Sequence, residues 1–254
     1  SNGAHEGTNR YEYGEPGLNS ETSLQIDLGL DVDNEHFSFS LSGFYNNVND
    51  FIYYSRLSSA SGGDSIVVVD GEDLEAFRFN QQNASLSGLE ASFDFHPHPV
   101  HWLHFENTVS LIRGRFHKQV DGSDNLPMIP AGRWISELRA NVNKASNAVR
   151  NLYFKVEMDN TFEQNRPFFG YNTETPTKGY ALLNAGLGMD IYSRGKPVLN
   201  IHISGNNLTD EAYQNHLNRL KYTAINNATG RRGVFNMGRN FSFKLNIPLE
   251  FHVK

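Results

Sequence analysis

The C-terminal run Val234–Phe251 is the feature that most limits what this chain can fold into. Apolar side chains occupy every second position from Phe241 to Phe251, and mostly polar ones lie between them. Because successive side chains of a strand point to opposite faces, this pattern predicts a strand with one apolar face. A strand that crosses a bilayer needs roughly 9–11 residues, whereas strands of soluble domains average about 5–6. The run is long enough to span a membrane, and since a spanning strand needs both edges paired, it implies a closed β-barrel.

The composition is compatible with this interpretation. The chain has 254 residues, of which 38% are hydrophobic, and its mean hydropathy is -0.52. That value is too polar for a helical membrane protein, but half of the residues in a barrel strand face the lumen. No stretch approaches ~18 consecutive apolar residues, which excludes a transmembrane helix. The chain has no cysteine, which excludes disulfides and thiolate metal sites.

The same alternation recurs along the chain and predicts about nine strands. We expect them at Glu21–Val32, Phe37–Tyr54, Leu89–Phe95, Leu103–Leu111, Trp134–Val142, Leu152–Met158, Leu183–Ile191, Leu199–Ile203 and Val234–Phe251. Short turns and long loops alternate between them, and the long loops are Ser55–Gln82, Arg113–Arg133, Glu163–Lys178 and Asn207–Gly233. Outer-membrane barrels have short periplasmic turns and long extracellular loops, so this order predicts such a barrel with a periplasmic C-terminus. Since single-chain bacterial barrels have even strand numbers, about nine strands predict the last part of a larger barrel.

Two segments depart from the alternation. Ser1–Ser20 is rich in glycine, asparagine and glutamate and has no apolar period, so we expect a loop there. Asn46–Asp50 interrupts the second strand, which indicates a β-bulge.

Four local motifs occur in a fixed order along the chain. They are the stretch Ser1–Ser23, the strand start Ser87–Ala91, the segment Asn206–Tyr213, which reads NNLTDEAY, and Gly238–Phe241 at the opening of the last strand. Together they resemble the C-terminal region of TonB-dependent outer-membrane receptors. Members of that family typically end at an aromatic residue, whereas Phe251 is followed here by His252–Lys254.

The resemblance implies an all-β fold, an antiparallel transmembrane β-barrel of 22 strands around a plug domain. Residues 1–254 would be its C-terminal portion, with the plug and the early strands absent. It also implies TonB-dependent active uptake across the bacterial outer membrane of a metal-containing nutrient, and no enzymatic activity. The cargo would be a ferric siderophore, haem or zinc, and no intrinsic cofactor is expected. The implied partners are the TonB energy-coupling complex, reached through the missing N-terminal part, the plug and remaining strands, lipid, lipopolysaccharide and the metal complex, but no nucleic acid.

Histidines in the predicted extracellular segments are candidate metal ligands. His5, with Glu6 beside it, and His216 are the residues selected, because imidazole and carboxylate groups bind zinc and iron. A lone histidine can also ligate haem iron, and the stretch Tyr213–Tyr222 is similar to a branch of the family that handles metal ions or haem. No second histidine lies at H-x-x-x-H or comparable spacing from His5 or His216, so solvated loop histidines are the alternative. His96 and His98 resemble a metal pair, but a predicted periplasmic turn is a poor place for capture.

Aromatic and basic residues are the other ligand-binding candidates. Phe168, Phe169 and Tyr171 offer a platform for a catecholate or porphyrin, or else pack within their own loop. From Ala212 to Leu249 the chain has no Asp or Glu, so its cations can attract an anionic ferric chelate, or contact lipopolysaccharide phosphates. The selected cations are Arg219, Lys221, Arg231 and Arg232.

Other classes of protein stay open at this point. A passive porin or another outer-membrane barrel importing an organic nutrient would show the same strands. A barrel enzyme should carry a Ser–His constellation, and neither G-x-S-x-G nor G-x-x-x-x-G-K-[ST] occurs. A soluble β-sandwich binding module would need a second sheet to cover the aliphatic faces.

Overall fold

The computed structural model describes residues 2–5 and 10–248, and these are mostly β-strands. The strands are β1 (Gly3–His5), β2 (Arg10–Tyr13), β3 (Thr22–Asp33), β4 (Phe37–Arg56), β5 (Ile66–Val69), β6 (Glu72–Phe95), β7 (Leu103–Val120), β8 (Ser123–Asn125), β9 (Arg133–Lys144), β10 (Val149–Thr161), β11 (Tyr180–Ser193), β12 (Lys196–Asn206) and β13 (Asn240–Asn246). Short 3-10 turns occur at Gly170–Asn172 and Arg219–Tyr222. Within the described residues, no helix is long and apolar enough to cross a membrane.

Nine strands form one antiparallel sheet in the order in which they occur along the chain. That order is β3, β4, β6, β7, β9, β10, β11, β12 and β13. The predicted strands are thereby confirmed in number and sequence order. Within the described residues, β3 and β13 each pair on one side only, so the sheet is not closed. The total of 22 strands stays a prediction.

The two faces of the sheet differ in chemistry. One face carries large apolar side chains that are exposed, such as Phe154 on β10 at 52% and Leu138 on β9 at 49%. The other face carries ion pairs, including Lys155 to Glu137 at 2.7 Å. Large exposed apolar surfaces of this kind are rare in soluble monomers and normal where a sheet faces lipid. We therefore call them the lipid face and the lumen face.

The connections sort into two ends of the sheet, as predicted. Residues 34–36, 96–102, 145–148 and 194–195 make short connections at what we call the short-turn end. Residues 57–71, 121–132, 162–179 and 207–239 make the connections at the opposite, long-loop end.

Several of the predicted strand boundaries at the long-loop end are wrong, although the loop predicted at Glu163–Lys178 is confirmed to within one residue at each end. β6 begins at Glu72, although Ser55–Gln82 was expected to be mostly loop, and β7 continues to Val120 through the expected loop Arg113–Arg133. These extensions lie beyond the lipid-facing band, where some side chains are buried by other polypeptide and others, such as Arg115, are exposed to water, so large apolar residues no longer occupy every second position. Ala76 and Phe77, for example, are adjacent and both fully buried. The last strand begins at Asn240 rather than Val234, and Leu249–Phe251 lie outside the described residues.

The hydrophobic core lies at the long-loop end. It is formed by Tyr53, Ala84, Phe116, Val120, Leu126 and Phe168. The predicted bulge is confirmed, because the β4–β6 register shifts between Val48 and Phe51. The first residues were expected to be a loop, but β1 and β2 form a hairpin, and β2 pairs in parallel with the extension of β6, with Arg10 opposite Glu75.

Candidate ligand-binding cavity

A cavity of about 690 Å³ lies at the long-loop end, between β2, the extensions of β4 and β6, and three of the long connections. We call it the basic cavity. Its ionised lining residues are Arg10, Arg56, Glu75, Glu174, Arg219 and Arg232. Four cations therefore face two carboxylates, and the lining carries a net positive charge.

Strand pairing builds one wall of the basic cavity from residues that are far apart in sequence. Phe77 is fully buried, and two guanidinium groups lie over its ring. The Arg10 Cζ atom is 4.2 Å from the ring centroid and the Arg56 Cζ atom is 5.7 Å from it. A cation over an aromatic face is attracted by the negative potential of the ring, and desolvation strengthens that attraction. Phe77 therefore holds both arginines at the cavity wall.

The four arginines differ in how their charges are compensated. Arg56 is paired on both sides, since its guanidinium nitrogens lie 2.9 Å from Asp64 Oδ2 and 2.9 Å from Glu75 Oε2. Burial lowers the pKa of Arg10, and the positive charge of Arg219 lowers it further. In the part of the chain that is described, neither Arg219 nor Arg232 has a carboxylate within ion-pair distance. An anion in the cavity would relieve the repulsion between Arg10 and Arg219.

A second wall is a hydrogen-bonded network around His216, which is only 4% exposed. Its Nδ1 atom lies 2.9 Å from Thr177 Oγ1, and its Nε2 atom lies 3.4 Å from Glu174 Oε2. Glu174 itself accepts hydrogen bonds from the backbone N–H groups of Met128 at 2.7 Å and Phe168 at 3.2 Å. Lys221 Nζ donates to Thr177 Oγ1 at 2.6 Å. The network joins three long connections, so it fixes the shape of the cavity.

The predicted histidine ligands occupy separate places. His5 lies on β1, where its side chain is 65% exposed and its Nε2 atom is 3.4 Å from Glu12 Oε2. His216 belongs to the buried network. Among the described residues, the side-chain grouping with metal-ligand proximity contains neither of them. Glu6 lies outside the described residues.

The three predicted aromatic residues do not form one exposed platform. Phe168 is 1% exposed and belongs to the core, whereas Phe169 is 50% exposed. The Tyr171 ring packs against Phe168 with centroids 6.1 Å apart, and its backbone N–H donates to Asp121 Oδ2 at 2.6 Å. Of the three, only Phe168 lines the basic cavity, and Phe168 and Tyr171 pack together within the loops.

Two of the four predicted cations line the basic cavity. Arg219 and Arg232 do so, whereas Lys221 is buried and Arg231 stacks on Phe235, with its Cζ atom 5.2 Å from the ring centroid. Sequence reasoning missed Arg10, Arg56 and Phe77. No local signal connects them, because their proximity depends on the pairing of β6 with β2, which brings Arg10, and with β4, where Arg56 lies opposite Phe77.

A second cavity of about 580 Å³ lies on the lumen face and is lined by Arg133, Asp159, Tyr180 and Tyr213, among others. Arg133 and Asp159 form an ion pair at 2.6 Å, and the two tyrosine rings pack with centroids 4.3 Å apart. His216 lines this lumen cavity as well as the basic cavity. The 207–239 connection therefore separates the two spaces.

Gly233 controls how that connection folds. Its φ is +75°, and a Cβ atom there would lie 2.3 Å from the backbone oxygen of Lys221. Gly230 also has a positive φ, of +67°, but has open space around its Cβ position. Both alanine substitutions incur the left-handed backbone strain of about 1–2 kcal/mol, and Gly233→Ala must also displace backbone. We expect it to lower the free energy of unfolding by about 1–3 kcal/mol more than Gly230→Ala, measured by denaturant titration. Equal losses would show that the close contact with Lys221 does not constrain the loop.

Comparison with known proteins gives the family context of these features. The protein-family model described as TonB dependent receptor-like, beta-barrel matches residues 1–208. The fold is similar to that of the copper transporter OprC, with a TM-score of 0.68 and 17% identity over 92% of this chain and 33% of that chain. An FrpB iron transporter from Neisseria meningitidis gives a TM-score of 0.60 and 13% identity over 94% and 33% of the two chains. A ferric enterobactin receptor from Pseudomonas aeruginosa gives 0.57 and 19% over 93% and 32%. The chain spans about a third of the length of these structures.

Proposed function

Because the chain belongs to the TonB-dependent receptor family, within whose β-barrel it lies, we propose that it is the C-terminal portion of a receptor for a metal-containing nutrient. The family is an outer-membrane family, and its similar structures are receptors and transporters rather than enzymes. In our proposal the long-loop end is extracellular and the short-turn end is periplasmic, as in other outer-membrane barrels. A plug domain, the remaining strands and the TonB coupling segment belong to the rest of the receptor. Uptake is active and depends on TonB.

The observation that carries this proposal is the net positive charge of the basic cavity. A ferric siderophore complex or haem presents carboxylate or catecholate oxygens with negative charge, which guanidinium groups recognise by charge-assisted hydrogen bonds. A bare zinc ion would instead be repelled by Arg10, Arg219 and Arg232. Among the three cargo classes, the cavity therefore favours an anionic metal complex over free zinc.

The arrangement of the two cavities supports transport rather than passive diffusion. A ligand held in the basic cavity lies next to the 207–239 connection, and the lumen cavity lies on the other side of His216. In our proposal this connection shifts as the ligand passes inward, as expected of an energy-dependent receptor, whereas a porin keeps an open aqueous path.

The proposal is tested by titrating the complete receptor in detergent with ferric enterobactin, haemin and Zn²⁺, and measuring each Kd by calorimetry. We expect one of the two anionic complexes to bind. Arg219→Ala and Arg232→Ala should each weaken that binding by about tenfold, or ~1.4 kcal/mol, because each removes a charge-assisted contact to the ligand.

Arg231→Ala is the matched control. Arg231 neighbours Arg232 in sequence but stacks on Phe235, so the variant removes the same charge without removing a cavity contact. Affinity should change less than twofold. If Arg231→Ala weakened binding as much as Arg232→Ala, the basic cavity would not be the binding site. If none of the three probes bound, the metal-containing cargo would be rejected in favour of an organic nutrient.

A further inference from the structure

A cluster of metal-ligating side chains lies at the short-turn end, at the opposite end of β6 from the basic cavity. Asp94 lies near the end of β6, His96 follows it in the 96–102 connection, and His104 lies at the start of β7. One donor atom from each lies within 4.8 Å of the others. We propose that Asp94, His96 and His104 form a binding site for a divalent transition-metal ion, with Zn²⁺ as the ion best matched to the donor set. This site is independent of the proposed uptake function.

The positions of the donor atoms suit a shared ion. The Oδ2 atom of Asp94 lies 3.1 Å from His96 Nδ1 and 3.0 Å from His104 Nδ1. In a tetrahedral zinc site with bonds of about 2.0–2.1 Å, neighbouring ligand atoms lie roughly 3.3 Å apart. The two distances from Asp94 are within a few tenths of an ångström of that spacing, and one donor atom of each residue lies within 4.8 Å of the others. Sequence reasoning had paired His96 with His98, but the sheet brings it to Asp94 and His104.

The second oxygen of Asp94 points to a missing positive partner. Asp94 Oδ1 is buried and has no hydrogen-bond partner among the described residues. A buried carboxylate oxygen without a partner is costly, and an ion is one of the usual reasons why such an atom is found. A cation bound at the cluster would compensate the whole carboxylate, including the atom that the two imidazoles do not reach.

The donor set selects a class of metal. Two imidazole nitrogens and one carboxylate oxygen suit Zn²⁺, Fe²⁺, Ni²⁺ or Cu²⁺, whereas Mg²⁺ and Ca²⁺ prefer sites made of oxygen alone. Each neutral imidazole binds a metal through the nitrogen that carries no proton. Binding through Nδ1 therefore requires the Nε2–H tautomer of His96 and His104, and no change of backbone.

The surroundings allow an ion to enter. The side chains of Asp94, His96 and His104 are 27%, 19% and 26% exposed, and His104 lines a cavity of about 890 Å³ at this end of the sheet. Water from that cavity can supply the fourth ligand. Three protein ligands with one open position are a common arrangement for zinc.

The neighbouring charges are compatible with a cation. Glu106 is paired with Asp94 across the β6–β7 ladder and adds negative charge. Arg139 lies opposite His104 in the β7–β9 register, but its Nε atom donates to Asn141 Oδ1 at 2.9 Å and its guanidinium stacks 4.5 Å from the Tyr153 ring centroid. These contacts hold the Arg139 guanidinium to other partners. A bound ion would join the 96–102 connection to both β6 and β7.

The test is Zn²⁺ titration of the complete receptor in detergent after treatment with a chelator, with metal content measured on the washed protein. We expect one equivalent of Zn²⁺ with a Kd below about 1 µM. Asp94→Asn, His96→Gln and His104→Gln should each weaken this binding at least about 100-fold, since even loss of an outer-shell partner costs 10–100-fold. Co²⁺ in the wild-type protein should give visible absorption bands that Zn²⁺ abolishes.

His101→Gln is the matched control. His101 lies in the same connection and its ring contacts His98, with centroids 3.7 Å apart, but it is not part of the cluster. This variant should keep its equivalent of Zn²⁺. Failure of the wild-type protein to bind Zn²⁺ would overturn the proposal. So would retention of the ion by a variant that combines Asp94→Asn, His96→Gln and His104→Gln. Because the cluster would itself take up Zn²⁺, the Zn²⁺ titration that tests the basic cavity is made on the variant that carries all three substitutions, which keeps the two tests distinguishable.

Discussion

Replacing Phe77 by alanine is expected to detach the β1–β2 hairpin from β6. Phe77 is fully buried and carries Arg10 and Arg56 on its ring. Truncating a buried phenylalanine typically costs about 3–5 kcal/mol through lost contacts and the cavity left behind. The arginines would also lose the aromatic surface that fixes them. Hydrogen exchange of the complete receptor should show loss of amide protection in β2 and in the first residues of β6, which pair with it.

Phe169→Ala is the control for that experiment. Phe169 lies at the same end of the molecule but is 50% exposed, so we expect a loss below about 1 kcal/mol. Protection of β10 and β11 should stay unchanged in both variants, because they lie away from the hairpin in the sheet order. Unchanged protection of β2 in Phe77→Ala would contradict the view that this ring anchors the hairpin.

Placing a charge on the lipid face is expected to destabilise the barrel. Phe154 lies near the middle of β10, is 52% exposed, and has Ala140 and Leu187 as its cross-strand neighbours. An arginine at the bilayer midplane of a barrel costs about 2–4 kcal/mol. We expect Phe154→Arg to lower the free energy of unfolding by that amount, measured by denaturant titration of the complete receptor in lipid vesicles.

Two controls separate membrane burial from other effects of this change. Phe154→Leu keeps the position apolar and should cost less than about 1.5 kcal/mol. Ser92→Arg places the same charge on the lumen face, where Ser92 pairs with Ser40 and Thr108, and should cost less than Phe154→Arg. If Ser92→Arg proved the more costly change, the assignment of the two faces would be reversed.

The strands that cross the apolar band could be predicted from the sequence because each obeys one simple rule. In that band one face meets lipid and the other meets water, so residues such as Leu183, Leu187 and Ile191 must alternate with polar ones. The short turns could be predicted as well, because each lies between two strands that obey this rule. The extensions of β4, β6 and β7 follow no such rule, because neither face meets lipid: some of their side chains, such as Phe77, are buried by other polypeptide and others, such as Arg115, face water.

The candidate sites were harder to predict from the sequence, because each combines residues from separate parts of the chain. Arg219 and Arg232 could be selected because the segment lacks acidic residues, but their partner Arg10 lies in a different part of the chain. Asp94 and His104 meet only because β6 and β7 pair in one particular register. Sites assembled from residues on neighbouring strands depend on register, and the alternation that identifies a strand does not determine which residue lies opposite which.

β6 is 24 residues long, and its length determines how far the long-loop end extends beyond the membrane. At the usual rise and tilt of barrel strands, these residues climb roughly 60 Å, which exceeds the lipid-facing band of about 25 Å by roughly 35 Å. The basic cavity therefore lies well outside the hydrocarbon of the membrane. It is surrounded by aqueous salt solution, in which the Debye length is about 8 Å at physiological ionic strength. A diffusing anion feels the arginines only on close approach, so ligand capture should slow as ionic strength rises.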